Sequence, residues 1–469
     1  MMQRLLLLAA LVAAPLIALR ADAPHVYAIR GARIVTASGA PIEAGTIVVR
    51  GGVIDAVGAS TAVPSDALVI EGAGLTVYPG LIDLGNTRAA EEPAQPAPEA
   101  RTTAELERWK RGQLLKPQAR AADVVKVDDV ELTRLAAAGV TSVLALPWGD
   151  VISGQSALVN VAAPPDEPQI GNIVEPRRGL IVVRPAVALH VSFPGRPRAG
   201  GNAYPESLMG VIAFVRQAFL DAQHYSVART EGARTEGRTD GARRLQPSER
   251  SSERLPLQDD PVLEAMQPAI DRKMPVAFEA NEAREILRAL KMAKELKLDP
   301  IVTGARHAHE VAADLKAQNA RVIYSLNYPQ RPRALAPDAD EPLHVLRTRA
   351  DAPKVPGELT RAGVSFGFSS AGLADPKDFV KNAAKAVKAG LAEDAAVRAL
   401  TIDAATIAGA GERLGSIEKG KVANLIVTDG NLFDEKTKVT RVFVEGRPVT
   451  LDAAAVPAGR GRGRGGMRR

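Results

Sequence analysis

The chain contains no cysteine. That absence excludes disulfide staples, thiolate nucleophiles and cysteine-rich zinc sites together, so the fold must rest on its core. Aromatic residues are scarce, at 4%, and stacking platforms for bases or sugars are correspondingly disfavoured. An excess of one charge is also missing from the body of the protein. The 469 residues carry 60 Lys and Arg against 54 Asp and Glu. The surplus, however, sits at the ends: Arg4 and Arg20 near the start, and five arginines within Arg460–Arg469. Between those ends the signs balance, which leaves no electrostatic footprint for nucleic acid.

The first residues, MMQRLLLLAALVAAPLIALRADA, combine a positive Arg4, an apolar run from Leu5 to Leu19 and the small-residue signal Ala21-Asp22-Ala23. This is the layout of a secretory signal peptide over residues 1–23. The run is shorter than the ~20 apolar residues of a spanning helix, so no membrane span is expected after cleavage. The expected location is periplasmic or extracellular. Residues 453–469 form a Gly/Arg tail that reads as a disordered end.

Hydrophobic residues make up 46% of the chain, enough for a sizeable globular core. Both ends of the remaining chain read as β structure. Gly45–Arg50 and Val53–Val57 flank Gly51-Gly52 in a hairpin pattern, and Ala423–Asp429 and Thr440–Glu445 read as strands followed by a turn at Gly446. The expectation is a small β-sandwich built from residues 24–75 and 406–452. Between them, residues 76–405 alternate short apolar runs with amphipathic stretches. Eight runs have strand length: Leu75–Leu84, Val140–Pro147, Ala157–Ala162, Pro185–Phe193, Met274–Glu279, Asp299–Gly304, Arg321–Asn327 and Val364–Ser370. With helical stretches at Glu206–Ser226, Glu282–Leu298, His309–Gln318 and Pro376–Ala389, this predicts an α/β fold, a (β/α)8 TIM-like barrel. A doubly wound open sheet satisfies the same strand count. Arg229–Asp260 is charged, almost without apolar residues, and repeats an R-T-[ED]-G unit, so it predicts a flexible insertion rather than a helix.

Two segments carry a family resemblance. Val77-Tyr-Pro-Gly-Leu-Ile-Asp-Leu84 resembles the first barrel strand of amidohydrolases, P-G-x-I-D followed by H-x-H. Arg398–Gly409 followed by Arg413–Val427 is similar to the return of that family into its β domain, with the imidazolonepropionase-like branch closest. The resemblance implies metal-dependent hydrolysis of non-peptide C–N bonds such as cyclic amides. In it, divalent ions activate a water and an Asp at the last strand acts as base. Those positions depart here. Gly85-Asn86-Thr87 stands for H-x-H, Glu279 and Gly304 stand where histidines belong, and Ala371 replaces the catalytic Asp. Asp83 survives, in a position whose common role is structural.

The remaining candidates are few. His190 and Glu279 are the candidate catalytic residues, and Asn86, Thr87, His190, Glu279, Ser369 and Ser370 the candidate contacts to a small-molecule ligand in the barrel mouth. His190 reads first as a packed strand histidine. Glu279, a carboxylate at a strand end, needs a partner such as Arg306, an ion or a ligand amine. His307-Ala-His309 reads as a solvated helix start and Ser153-Gly-Gln-Ser156 as a turn; no Ser/His/Asp triad emerges. The leading expectation is a degenerate, ligand-binding amidohydrolase with no metal and no cofactor. One alternative keeps an active hydrolase with a single zinc-like ion on Glu279 and His190. Another makes the protein an interaction module using its insertion or tail. The oligomeric state is left open.

Overall fold

A computed structural model describes residues 26–90, 101–126, 129–162, 181–198, 203–236, 259–336 and 338–449, together with Glu99 and Leu451. The expected signal peptide, most of the insertion and the Gly/Arg tail lie outside the described residues. No helix among the described residues is long and apolar enough to cross a membrane.

The chain opens with strands β1 (Val26–Ile34), β2 (Ile42–Arg50), β3 (Val53–Gly58), β4 (Leu68–Glu71) and β5 (Thr76–Pro79), and closes with β16 (Leu425–Thr428), β17 (Val439–Val444) and β18 (Arg447–Val449). All eight share one sheet in the order β18-β17-β16-β5-β1-β2-β3, with β4 added on β1. The β2–β3 hairpin turns at Gly51 and Gly52, whose φ of 58° and 86° are the values such a tight turn requires. The first half of β1 pairs with β4 and its second half with β5, so the sheet branches there. Tyr27, Ile29, Ile47, Val77, Leu425 and Phe443 fill the core of this small domain. Both chain ends are needed to make it.

The middle of the chain forms the barrel. Its strands are β6 (Leu81–Asn86), β7 (Val140–Ala145), β8 (Ile152–Gln155), β9 (Ala157–Asn160), β11 (Leu189–Ser192), β12 (Val276–Ala280), β13 (Pro300–Gly304), β14 (Arg321–Ser325) and β15 (Phe366–Ser369), with β10 (Ile181–Arg184) an edge strand on β9. Strands β6 and β7 are parallel, as are β11 through β15. The third stave differs from the expected parallel strand. It is the bent segment 152–160, whose β8 half runs antiparallel to β11 and whose β9 half runs antiparallel to β7. Ser153-Gly-Gln-Ser156, expected as a turn, is therefore mostly strand, and Ser156 exchanges backbone hydrogen bonds with Val187 and Ala188.

Around the barrel lie α1 (Thr103–Leu114), α2 (Asp129–Ala137), α3 (Leu208–Glu236), α4 (Pro261–Ile270), α5 (Ala283–Glu295), α6 (Ala312–Ala317), α7 (Leu343–Asp351), α8 (Val355–Ala362), α9 (Lys377–Lys388), α10 (Glu393–Leu400) and α11 (Ile402–Ile407). Strand alternation sorts the side chains. Leu189, Val191, Val276 and Phe278 pack outward against Val211, Phe219 and Met292 of α3 and α5, while Leu84, Leu144, Ala277 and Ile323 fill the barrel floor. Helix α3 runs eight residues into the segment expected to be flexible, through Glu236. At the start of that segment, Arg229 binds Glu264 of α4 at 2.5 Å across the two helices. Asp260, the last residue of that segment, caps α4 by accepting from Val262 and Leu263.

Two polar clusters hold the architecture. At the seam between the small domain and the barrel, Asn424 donates to Ser142 at 3.2 Å and to Asn160 at 3.0 Å, while Asn160 donates to Glu445 at 2.9 Å. Gly80, which carries the chain from β5 into β6, lies against the Thr141 side chain with no room for a Cβ. The second cluster closes the barrel. Asp83 of β6 is fully buried and accepts from Ser370 N at 2.7 Å, Ser370 Oγ at 2.5 Å, Gly85 N at 3.1 Å and Asn86 Nδ2 at 3.5 Å. Burial pushes its pKa up and these donors push it back. Strands β6 and β15 share no hydrogen-bonded ladder among the described residues, so this carboxylate carries much of the closure. Asp83→Ala leaves buried donors unpartnered and is expected to destabilise by about 3 kcal/mol, against about 2 kcal/mol for Ser370→Ala. Urea midpoints of the two variants check the order.

Candidate functional site

A cavity of about 400 Å³ opens at the carboxyl ends of the barrel strands, where sites of this architecture form. Register places its upper layer. Ser192, Glu279 and Thr303 are cross-strand partners on β11, β12 and β13, and Ser325 and Ser369 are partners on β14 and β15. All five line the cavity. Hydroxyls thus surround a single carboxylate. His190 lies two residues below Ser192, opposite Ala277, so it belongs to the cavity floor.

His190 and Glu279 are brought to one wall on adjacent strands, as the sequence allowed, but no hydrogen bond joins them among the described residues. His190 is enclosed by the apolar floor, and this desolvation lowers its pKa to about 4. Its Nε2 is buried without a partner. Glu279 reaches the cavity solvent while protein packs around most of it. Burial raises its pKa, Arg198 opposes that shift and Glu285 adds to it. The expected pairing with Arg306 does not form: Glu279 has no ion pair among the described residues, and the guanidinium that bears on it is Arg198, from the loop after β11. Arg306 also lines the cavity.

Two of the candidate contacts are turned elsewhere. Asn86 accepts from Arg88 N at 2.9 Å and Ala89 N at 3.1 Å, which folds the loop after β6 and spends its oxygen. Ser370 is held by Asp83. Neither reaches the mouth, because each satisfies buried or loop groups behind it. Thr87 and Ser369 do line the cavity.

Gly85, Gly304 and Ala371, three of the replaced positions, line the mouth as well. At Gly85 a Cβ would run into the Ser369 hydroxyl, and at Gly304 it would lie 2.6 Å from Asn281 Oδ1. The space beside both glycines is therefore already occupied by neighbouring polar side chains. Among the described residues no three His, Asp or Glu are placed to share an ion. The phenols of Tyr324 and Tyr328 donate to the carbonyls of Ala352 at 2.7 Å and Asn382 at 3.1 Å, and burial raises both pKa values.

Residues overlooked in the sequence are Asn281, Asn327, Trp148 and Arg198, all on the cavity wall. Asn281 and Asn327 lie two residues beyond Glu279 and Ser325. Continuing the period-two alternation past each strand end would have found them. His307, expected to be solvated, has a side chain only 18% exposed. Its Nδ1 is 2.7 Å from Glu310 and its Nε2 3.5 Å from Glu282.

With this geometry in view, the comparisons with known proteins are specific. The amidohydrolase family model matches residues 203–449, and the chain belongs to that family. An amidohydrolase from Thermotoga maritima MSB8 superimposes with a TM-score of 0.68 at 23% identity, covering 90% of this chain and 99% of that one. A prolidase complexed with N-methylphosphonate-L-proline gives a TM-score of 0.51 at 18% identity, with 90% and 99% covered. Phenylurea hydrolase B gives 0.50 at 19% identity, with 92% and 98% covered. These structures share the fold. A comparison with curated proteins finds no match.

The histidine yields a signed pH expectation. Between pH 6.5 and about 4 the unfolded imidazole takes a proton that the folded one refuses. Stability is therefore fully present above 6.5 and declines as pH falls toward 4, by about 3 kcal/mol in total. An NMR titration should place the imidazole midpoint of His190, assigned as the resonance missing from His190→Gln, near 4. A midpoint near 6.5 refutes the enclosed imidazole.

Proposed function

We propose that this amidohydrolase-family protein binds a small polar ligand in its barrel mouth and does not carry out the two-metal hydrolysis its family resemblance implies. The observation that carries the reading is the donor set. Among the described residues no three His, Asp or Glu are placed to share an ion, and Gly85 and Gly304 offer no side-chain ligand atom, so the residues present do not fit a pair of metal ions. Ala371 contributes no base. What remains is a layer of hydroxyls and amides around one carboxylate, an arrangement suited to orienting a ligand by hydrogen bonds.

Glu279 defines the chemical character of that ligand. Its raised pKa and lack of an ion pair favour a protonated amine or guanidinium above it, which would supply the missing counter-charge. The competing reading, an active hydrolase with one zinc-like ion on Glu279 and His190, draws support from their adjacent strands. It is weakened by the lack of a third ligand, since no three His, Asp or Glu among the described residues are placed to share an ion. Residues 1–23 support export to the periplasm or beyond, and no cofactor is proposed. The insertion and the tail give an interaction role no support beyond their composition.

Metal analysis of the dialysed protein by mass spectrometry, paired with assays on lactam and dipeptide amides, tests the reading. The expected outcome is substoichiometric zinc, iron and manganese with no turnover; a stoichiometric metal with ordinary enzyme rates would overturn it. Glu279→Gln adds a second check. Removing an unpaired, desolvated charge should leave the melting temperature at pH 7 unchanged or raised, whereas loss of a metal ligand would lower it.

A further inference from the structure

A second cavity, of about 210 Å³, lies between the loop leaving β13 and helix α7. Its wall carries Arg306, His307, His309, His344, Arg347 and Thr348. The two carboxylates on that wall are already engaged. Glu310 lies 2.7 Å from His307 Nδ1, and Asp351 accepts from Lys354 at 2.9 Å while feeling His309 and Arg347 electrostatically. Neither Arg306 nor Arg347 makes a hydrogen bond or ion pair among the described residues, though Arg347 acts on Asp351 and Arg306 on Tyr324 at longer range. His309 Nδ1 is buried with no partner.

Helix α7 is held in an unusual way. None of its side chains is buried, and Leu343 and Leu346 are exposed. Its approach is braced by Glu341, which Arg331 and Arg349 clamp at 3.0 and 2.6 Å. Two hydrogen-bond contacts link the helix to the barrel: the Tyr324 phenol donates to the carbonyl of Ala352, the cap residue of α7, at 2.7 Å, and Thr348 Oγ1 lies 3.4 Å from His307 Nε2 across the cavity. Apolar burial does little to seat this helix, so polar contacts decide where it sits.

We propose that this cavity is a binding site for a tetrahedral oxyanion, a phosphate or sulfate group, held between Arg306 and Arg347, and that its occupation ties α7 to the barrel rim. Two unpaired guanidiniums on facing elements are matched to the forked oxygens of such a group. The imidazoles of His309 and His344 add donors. A space of about 210 Å³ is ample for the oxyanion and part of whatever bears it. The two cavities share Arg306 and Ala352, whereas Arg347, His344 and Thr348 line only this second one, so a change at Arg347 tests the proposal apart from the reading of the mouth.

The test is calorimetric titration of the full-length protein with inorganic phosphate at constant ionic strength, with acetate and chloride as controls. Limited proteolysis across residues 329–352 accompanies it. Saturable phosphate binding is expected, with acetate weaker and phosphate slowing cleavage in that segment. Arg347→Ala should weaken phosphate by about tenfold or more, the loss of a charge-assisted bond, with no change in melting temperature in phosphate-free buffer. Arg347→Lys should recover part of the affinity. Absence of saturable binding, equal binding of acetate, or full phosphate affinity in Arg347→Ala would each overturn the proposal, the last by placing the anion elsewhere.

Discussion

The barrel depends on one buried carboxylate. Asp83 stands on the first strand, and the turn that follows the last strand delivers both its backbone N–H and its hydroxyl, through Ser370, to that carboxylate. A charged group in such a place is tolerable only because donors surround it. The arrangement also fixes geometry. With the ends of β6 and β15 drawn together, Ser369 comes to lie over Gly85, its hydroxyl directed to the Gly85 carbonyl at 3.3 Å. The composition of the mouth on this side therefore follows from the way the barrel is shut, and the surviving Asp of the P-G-x-I-D pattern is structural.

Electrostatics on the opposite wall has a different logic. His190 lies one layer deeper than Glu279, against apolar side chains that keep it neutral, so it offers no cation to the carboxylate. Arg198 acts on Glu279 from a loop without forming a pair, which moderates the field and leaves the carboxylate open to cavity solvent. Inside a partly walled cavity, such a group interacts with an incoming cation more strongly than one on an open surface. Tyr324 and Tyr328 have committed their protons to carbonyl groups. The mouth holds few groups that move protons at neutral pH and many that orient.

Much of this was legible in the sequence, and the misses have identifiable causes. Apolar runs bounded by glycine and polar residues located the strands, and the β-rich ends predicted a domain made from both termini. What a run of alternating residues does not carry is direction: residues 152–160 have the length of a stave but traverse the wall backwards. Composition misled at Arg229–Glu236, where charge and glycine suggested flexibility but the helix begun at Leu208 continues. For the site, position at the strand ends singled out Glu279, Ser369 and His190, and all three line the cavity. The same reasoning also named Asn86 and Ser370, which the structure turns away, Asn86 to the loop after β6 and Ser370 to Asp83. Nothing in the sequence could reveal that Ser369 and Asn281 fill space beside glycines distant in the chain.

That last relation gives the replaced positions a physical coherence. An imidazole placed at residue 85 meets the Ser369 hydroxyl, so Ser369 must turn away and surrender its bond to the Gly85 carbonyl. An imidazole at residue 304 faces two obstacles, since Asn281 occupies the space and the backbone there has a φ of +85°, which strains any residue but glycine. The adjoining Ala305, at +55°, continues the same unusual path. The departure from the family pattern at this strand end is thus embodied in the main chain as well as in the side chains. At residue 304 the main chain itself resists a histidine, whereas at residue 85 the obstacle is one serine hydroxyl that can rotate.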